Sequence, residues 1–403
     1  MTTHTELDKS ALIDPQTWLA GVPHSLFDAL REQEPISWNE PESGGYWSLT
    51  RHKDIAQVSK DHERFTVERG DLYPRPSAET LAEQRDMLTL IDPPNHTRLR
   101  KLAAKSFTPR VIAKLEGWVR EVIRGVLSDV SDKSEFDFVH DIAARIPGLV
   151  IASMLGIGDE NGRETIVSCA TDVFAMDQPD GQVRHVRGLQ NLAAFLFQVR
   201  EEKRAHPGDD IMSALNEARD DDGQALTDME YIKFVSLLTL AGFETTHTLM
   251  GQGMRILLEE PRINDVVREA VEHDATREAV EELLRVVCPV NYFARTAKAD
   301  VQIGDQLIKE GEMVLQWFAA ANRDPEVFLN PHEFDLTRTP NPHMAFGGGG
   351  VHHCLGNHIA RLETKILLEE MYSRPTKLEL AGEPRRGANV FVNQILSLPV
   401  RHV

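Results

Sequence analysis

FGGGGVHHCLG, residues Phe346–Gly356, is the stretch whose reading decides the fold. Four consecutive glycines, Gly347–Gly350, let a backbone approach a bulky flat ligand closely and tolerate positive φ. Cys354 stands at the start of a helical pattern running from about Leu355 to Tyr372. The unpaired N–H groups and the dipole at a helix start favour a thiolate over a thiol. A backbone cradle around a thiolate suits a soft or borderline metal such as iron. Other readings stay open on these residues alone. The segment also reads as a glycine-rich turn that a cysteine happens to follow. A phosphate loop is disfavoured, because no Gly-Lys-Ser/Thr follows. A zinc site from His352, His353, Cys354 and His358 is a further alternative, although adjacent ligands depart from the usual spaced pairs.

Working outward, the strongest helical signal lies upstream. Thr227 and Glu230 have capping-box spacing, and no proline follows until Pro261. That predicts a helix of about 33 residues, on the order of 50 Å long. Its middle, VSLLTLAGFETTHTLM, is apolar over most of its circumference, so it runs through the core. Gly242 in its centre costs about 1 kcal/mol relative to alanine. A threonine there can bend the helix by bonding back to a carbonyl. A second helix covers Thr276–Val287 and stops before Cys288-Pro289. On it, Glu282 and Arg285 are three apart and share a face. For such a pair in isolation, a surface ion pair is the commoner case.

Elsewhere the pattern is mixed. Ile36–Leu49 reads as a hairpin around PESGG, and Arg51–Lys60 as a helix. Thr66–Leu90 reads as a long irregular connection. Helical patterns dominate from Asn95 to Glu260, with loops at Gly156–Gly162, Asp177–Gln182, Ala205–Gly208 and Asp220–Gln224. Val301–Ile303, Gln306–Ile308 and Met313–Gln316 read as a small β-meander. Ala388–Val403 reads as strand. The expectation is a mainly α chain with small β-sheets and a single domain spanning residues 1–403.

Composition bounds the function. The chain has 403 residues, 41% of them hydrophobic and 27% charged, which excludes disorder and collagen. A net charge of −19 argues against nucleic acid and anionic membranes as partners. Three cysteines form no disulfide framework, so a cytoplasmic location is expected. The polar N-terminus is no signal peptide. The apolar runs around Val150–Leu155 and Phe234–Gly242 are shorter than the roughly 18 residues that span a bilayer.

The Phe346–Gly356 segment resembles the haem-thiolate loop of the cytochrome P-450 family. Phenylalanine, a glycine run, a basic residue two before Cys, and Cys-x-Gly match at Phe346, His352, Cys354 and Gly356. The spacing departs by one extra glycine, so that Phe346 is eight residues before Cys354 rather than seven. Glu282-Leu-Leu-Arg285 resembles the family's Glu-x-x-Arg motif, and the resemblance implies a buried pair completed by Arg338. Ala241-Gly242-Phe243-Glu244-Thr245-Thr246 resembles the acid–alcohol groove. The resemblance makes Glu244 and Thr245 catalytic: Glu244 relays protons from solvent, and Thr245 holds the iron-bound oxygen group. Asp92–Arg100 resembles the segment that opens the helix on the haem propionates. Those anions are assigned to His96, Arg100, Arg295 and His352, a pairing of cationic donors with carboxylates. Ala241, Phe346 and Gly356 are expected to contact the haem. The resemblance covers about Ile36 to Val403.

The resemblance implies the P-450 fold, with haem b between the long helix and the Cys354 loop, and Cys354 as the iron ligand. It implies a soluble bacterial-type monooxygenase that inserts one atom of dioxygen into a hydrophobic molecule. Sterols, terpenoids or lipid-like compounds are the favoured class. A peroxide-driven peroxygenase and a non-enzymatic haem or metal-binding protein are the alternatives. Substrate walls are expected around Met87–Leu90, Ser168–Asp177, Val235–Ala241, Val290–Tyr292 and Val390–Val392. No flavin domain is fused, so electrons are expected from a ferredoxin-type partner. Pro93–Leu115 lacks Asp and Glu but holds Arg98, Arg100, Lys101, Lys105, Arg110 and Lys114. Arg98, Lys101, Lys105 and Arg110 are therefore the expected docking patch.

Overall fold

The computed structural model describes residues 7–175 and 180–403. The helices that build the site are α1 (Asn95–Ala104), α2 (Glu116–Ser128), α3 (Arg145–Met154), α4 (Glu160–Phe174), α5 (Gly181–Ala205), α6 (Asp228–Glu259), α7 (Thr276–Val287) and α8 (Asn357–Tyr372). Helix α6 opens on the expected capping box. Thr227 N–H donates to Glu230 Oε2 at 2.8 Å, and Glu230 N–H donates to Thr227 Oγ1 at 3.2 Å. Every residue from Thr246 to Met254 is buried, as an all-round apolar pattern requires. Helices α3, α4, α5, α7 and α8 pack around it. Helix α7 ends at Val287 as expected, with Cys288 in the left-handed region.

The strands that matter are β1 (Ile36–Asn39), β2 (Tyr46–Leu49), β3 (Phe65–Thr66), β4 (Tyr292–Ala297), β5 (Val301–Ile303), β6 (Gln306–Ile308), β7 (Met313–Trp317) and β8 (Ile395–Ser397). The expected hairpin is β1–β2, in the register Trp38 opposite Trp47. The main sheet has the order β1-β2-β7-β4-β3. Its second hydrophobic cluster includes Trp317, which stacks on Trp18 at 5.8 Å.

Several expectations are corrected. No three-stranded meander forms: β5 pairs with β6, but β7 lies between β2 and β4. All five β7 residues are buried, and such a strand belongs in a sheet interior rather than on an exposed edge ribbon. The Thr66–Leu90 connection contains a short helix, Ala78–Glu83, because Ser77 Oγ caps Thr80 N–H. Helix α4 starts at Glu160, before the expected loop ends, because Asp159 caps Gly162 N–H at 2.8 Å. Helix α5 starts at Gly181, and residues 177–179 of the expected Asp177–Gln182 loop lie outside the described residues. Within the expected helical stretch, Glu135–Asp137 is a strand because Pro399–His402 returns to pair with it. Of the expected C-terminal strand, only Ile395–Ser397 and Pro399–His402 form strands, with an isolated Val290–Val392 bridge before them. Among the described residues, no helix is long and apolar enough to cross a membrane.

Candidate functional site

Ala241 is exposed although it lies midway along the central helix, and Thr245 one turn on is half-buried. Cys354 also keeps an accessible side chain. Its surroundings nonetheless act as an interior, since burial is the largest influence on its thiol and pushes it up. A side chain that is accessible yet deep faces an internal space. Thr245 Oγ1 donates to Ala241 O at 2.7 Å, the back-bond anticipated for a mid-helix threonine.

Two hydrogen bonds hold the Cys354 loop. Cys354 N–H donates to Phe346 O at 3.1 Å. Arg100 Nη2 donates to His353 O at 2.5 Å. Helix α8 begins only at Asn357, so Cys354 precedes it by one short turn. This corrects the helix-start argument. Burial outweighs the lowering influence of the Gly356 N–H, Arg100 and Arg361 on the Cys354 thiol. The reason for the glycines also changes. A Cβ on Gly348 would stand 2.2 Å from Ser59 Oγ, and one on Gly350 2.3 Å from Ser59 O. The end of the His52–Lys60 helix, as well as any flat ligand, therefore dictates them. Gly347, with φ of 92°, faces open space.

The four cationic candidates meet. His96 and His352 rings lie 4.3 Å apart, and both ring nitrogens of His96 and Nε2 of His352 are buried without a partner. Burial, then neighbouring guanidinium charge, lowers His96 to about 4 and His352 to about 2. Arg295, 9% exposed, is lowered to about 10 by burial, which outweighs Asp71 and Asp92. Its side chain donates to Ala294 O at 2.8 Å. Orphaned imidazoles between two guanidiniums form a dry, electropositive recess, which fits the two carboxylates of haem. The accessible thiol facing an internal space fits an iron.

Beneath the loop, Glu282 and Arg285 are fully buried and bidentate, at 2.8 and 2.6 Å. Arg338 Nε reaches Glu282 Oε1 at 3.1 Å, as expected. Asn341 Nδ2 and Asp335 N–H add donors at 3.1 and 2.9 Å. Burial raises the Glu282 carboxyl, but Arg285 and the other donors outweigh it and leave it lowered.

A neighbouring network was missed. Glu281 binds Arg361 through two contacts of 2.5 and 2.9 Å and His343 at 3.0 Å. The Arg361 guanidinium sits 4.3 Å over the Phe346 ring. Burial pushes Glu281 up, yet His343 and Arg361 hold it at about 2. These partners are 62 and 80 residues from Glu281 along the chain, beyond the reach of any local spacing rule. The Glu281–Glu282 doublet was the one visible signal.

Glu244 is 2% exposed, and its oxygens face Gln394 and His247. The expected docking patch is altered. Arg98 is paired with Glu230 and with Asp220 at 3.6 Å, so it is committed to the fold. Lys101 contacts Asp221 at 2.8 Å on the surface. Lys105, Arg110 and Lys114 are exposed, with no ion pair among the described residues. No group of three or more His, Cys, Asp or Glu gathers as a metal cluster among those residues, which removes support from the zinc alternative. Of the expected substrate walls, two touch: Asn291 N–H donates to Phe391 O at 2.8 Å, and the Tyr292 and Phe391 rings lie 6.0 Å apart.

Fold and site together describe a mainly helical protein built for haem on a cysteine thiolate. The cytochrome P450 family model matches residues 170–374. A steroid C26-monooxygenase of Rhodococcus jostii is 32% identical over 401 residues, spanning 96% of this chain and 83% of that protein. The structure of a Mycobacterium marinum cytochrome P450, CYP268A2, in complex with pseudoionone aligns with a TM-score of 0.86 at 32% identity, over 95% of this chain and 96% of that one. CYP109E1 of Bacillus megaterium, in complex with testosterone, aligns with a TM-score of 0.82 at 30% identity, over 94% and 98%. The chain belongs to the cytochrome P450 family. It is a haem b enzyme with an axial cysteine thiolate, an oxidoreductase that incorporates oxygen.

Proposed function

We propose that this enzyme hydroxylates a steroid-like or similarly large apolar molecule, with Cys354 as the iron ligand. The observation that carries the site assignment is that Cys354 and, midway along the central helix, Ala241 both keep accessible side chains. His96, Arg100, Arg295 and His352 would hold the propionates, and Phe346 and Gly356 would flank the thiolate. Haem bound there supplies dioxygen binding and oxygen transfer. The chain's own part is to orient, exclude water and move protons. Apolar walls exclude water: Leu88, Leu90 and Val235 are buried, and the Tyr292–Phe391 contact closes one side. The Thr245 hydroxyl donates and accepts beside the groove, and Glu244 on the same turn stores the proton it passes on.

The substrate class rests on relatives named as a steroid C26-monooxygenase or found in complex with testosterone and pseudoionone, together with these apolar walls. Electrons come from a separate ferredoxin-type protein, docking at Lys101, Lys105 and Arg110. Residues 1–403 act as one haem domain, since Arg100 on α1 and Arg295 on β4 serve the same recess. Titrating purified holoenzyme with testosterone and with pseudoionone tests the class. A low- to high-spin Soret shift with either is expected. Shifts only with small aromatic compounds would remove the steroid-like reading.

A further inference from the structure

The acid of the acid–alcohol pair has an unexpected neighbour. Glu244 Oε1 accepts from Gln394 Nε2 at 3.3 Å, and the same amide donates to Phe174 O, at the end of α4, at 3.3 Å. Glu244 Oε2 lies 3.5 Å from Nδ1 of His247, one turn further along α6. No lysine or arginine pairs with Glu244 among the described residues, and the carboxylate is cut off from water. A buried acid can deliver protons turnover after turnover only if something returns them. Gln394 cannot, because an amide holds its protons. An imidazole can take a proton on one nitrogen and release one from the other.

His247 is placed for this. It is 8% exposed, its ring lies 5.9 Å from that of Phe243, and Nε2 is buried with no protein partner. The 3.5 Å contact is longer than a formed hydrogen bond, and a small turn of the ring closes it. We propose that His247 is the immediate proton donor to Glu244, with Gln394 holding the carboxylate in place. His247 starts as the neutral Nδ1–H tautomer: Nε2 takes up a hydrated proton as the N–H bond at Nδ1 breaks and an O–H bond forms at Oε2, which leaves the neutral Nε2–H tautomer. Glu244 then gives up its proton on the Thr245 side, and a turn of the ring with proton exchange to solvent restores the Nδ1–H tautomer. No electrons move. The inference rests on the Glu244–Thr245 reading above.

Two measurements on the holoenzyme test it. In ferrous–carbon monoxide protein labelled with 15N-histidine, Glu244→Gln should shift the His247 Nδ1 resonance. An unmoved resonance would overturn the contact. In reductant-driven assays with a surrogate ferredoxin and testosterone, peroxide released per electron is read for His247→Phe, His247→Gln and Thr245→Ala. His247→Phe should raise it, with coupled turnover falling about tenfold or more. His247→Gln, which keeps a hydrogen bond but no mobile proton, should not rescue it. Wild-type coupling in either His247 variant would overturn the proposal. If Thr245→Ala uncouples while the His247 variants do not, only the His247 role falls. If Thr245→Ala also leaves coupling unchanged, the acid–alcohol reading falls and takes this one with it.

Discussion

As the proposed iron ligand, Cys354 would be a thiolate in a place where burial favours the thiol. The metal resolves this, because a coordinating thiol is deprotonated outright. The same logic applies to the proposed propionate site, where both ring nitrogens of His96 and Nε2 of His352 are buried without a partner among the described residues. Among the described residues Thr245 makes one side-chain hydrogen bond, back to Ala241 O, so its hydroxyl can turn toward the groove without breaking a tertiary contact. Thr245→Ala should therefore keep ligand-induced spin shifts while releasing more peroxide per electron. An unchanged peroxide yield would instead favour peroxide-driven chemistry, which needs no acid–alcohol pair. The motif residues were legible from local spacing, because i,i+3 and Cys-x-Gly patterns need no long-range information. His247 sat in plain view in the same motif. It went unread because its meaning depends on a 3.5 Å contact with Glu244, and a histidine on an apolar helix carries no such signal.

At the scale of elements, the Cys354 loop is fixed by what lies under and beside it. Arg285 also donates to the carbonyls of Asn322, Pro331 and Glu333, so removing it strands several buried acceptors as well as Glu282. Glu282→Ala or Arg285→Ala should cost about 3–5 kcal/mol and lose haem, read as melting temperature and haem content. Full haem and wild-type melting would show that the network is dispensable. Gly350→Ala is a sharper probe of the loop. Its φ is 78° and its Cβ would meet the Ser59 carbonyl, so a loss of about 1–3 kcal/mol is expected in thermal unfolding. The long helix and the hairpin were legible because a capping box and strand alternation are local. The β7 placement was not, since adjacency in sequence suggested a meander while complete burial put the strand between β2 and β4. Likewise the glycines announced a close approach but not its partner, the Ser59–Lys60 helix end.

Across the whole molecule, charge and pH matter most. On a chain of net charge −19, Lys105 and Arg110 are exposed with no ion pair among the described residues, and Lys101 holds a surface aspartate. Such exposed pairs are worth little and yield to a partner. Reversing Lys101, Lys105 and Arg110 to Glu should slow reduction by an acidic ferredoxin and flatten its salt dependence, without changing ligand affinity. Stopped-flow reduction at low ionic strength checks this, and a wild-type rate would move the docking site elsewhere. Acid lability should come partly from His24, lowered from 6.5 to about 3 by burial and then Arg323. Its unfolded form binds a proton that the folded form refuses, so its contribution is complete above pH 6.5 and is lost as pH falls toward 3. The melting temperature should drop across that window, with a shallower slope in His24→Phe. The central claim remains that Cys354 gives this molecule its iron ligand and hence its chemistry. The most direct measurement is the absorption spectrum of the ferrous–carbon monoxide adduct, wild type against Cys354→Ser. The wild type should show the strongly red-shifted Soret band of thiolate-ligated haem, and the serine variant should lack it. The same red-shifted band in both proteins would contradict the assignment.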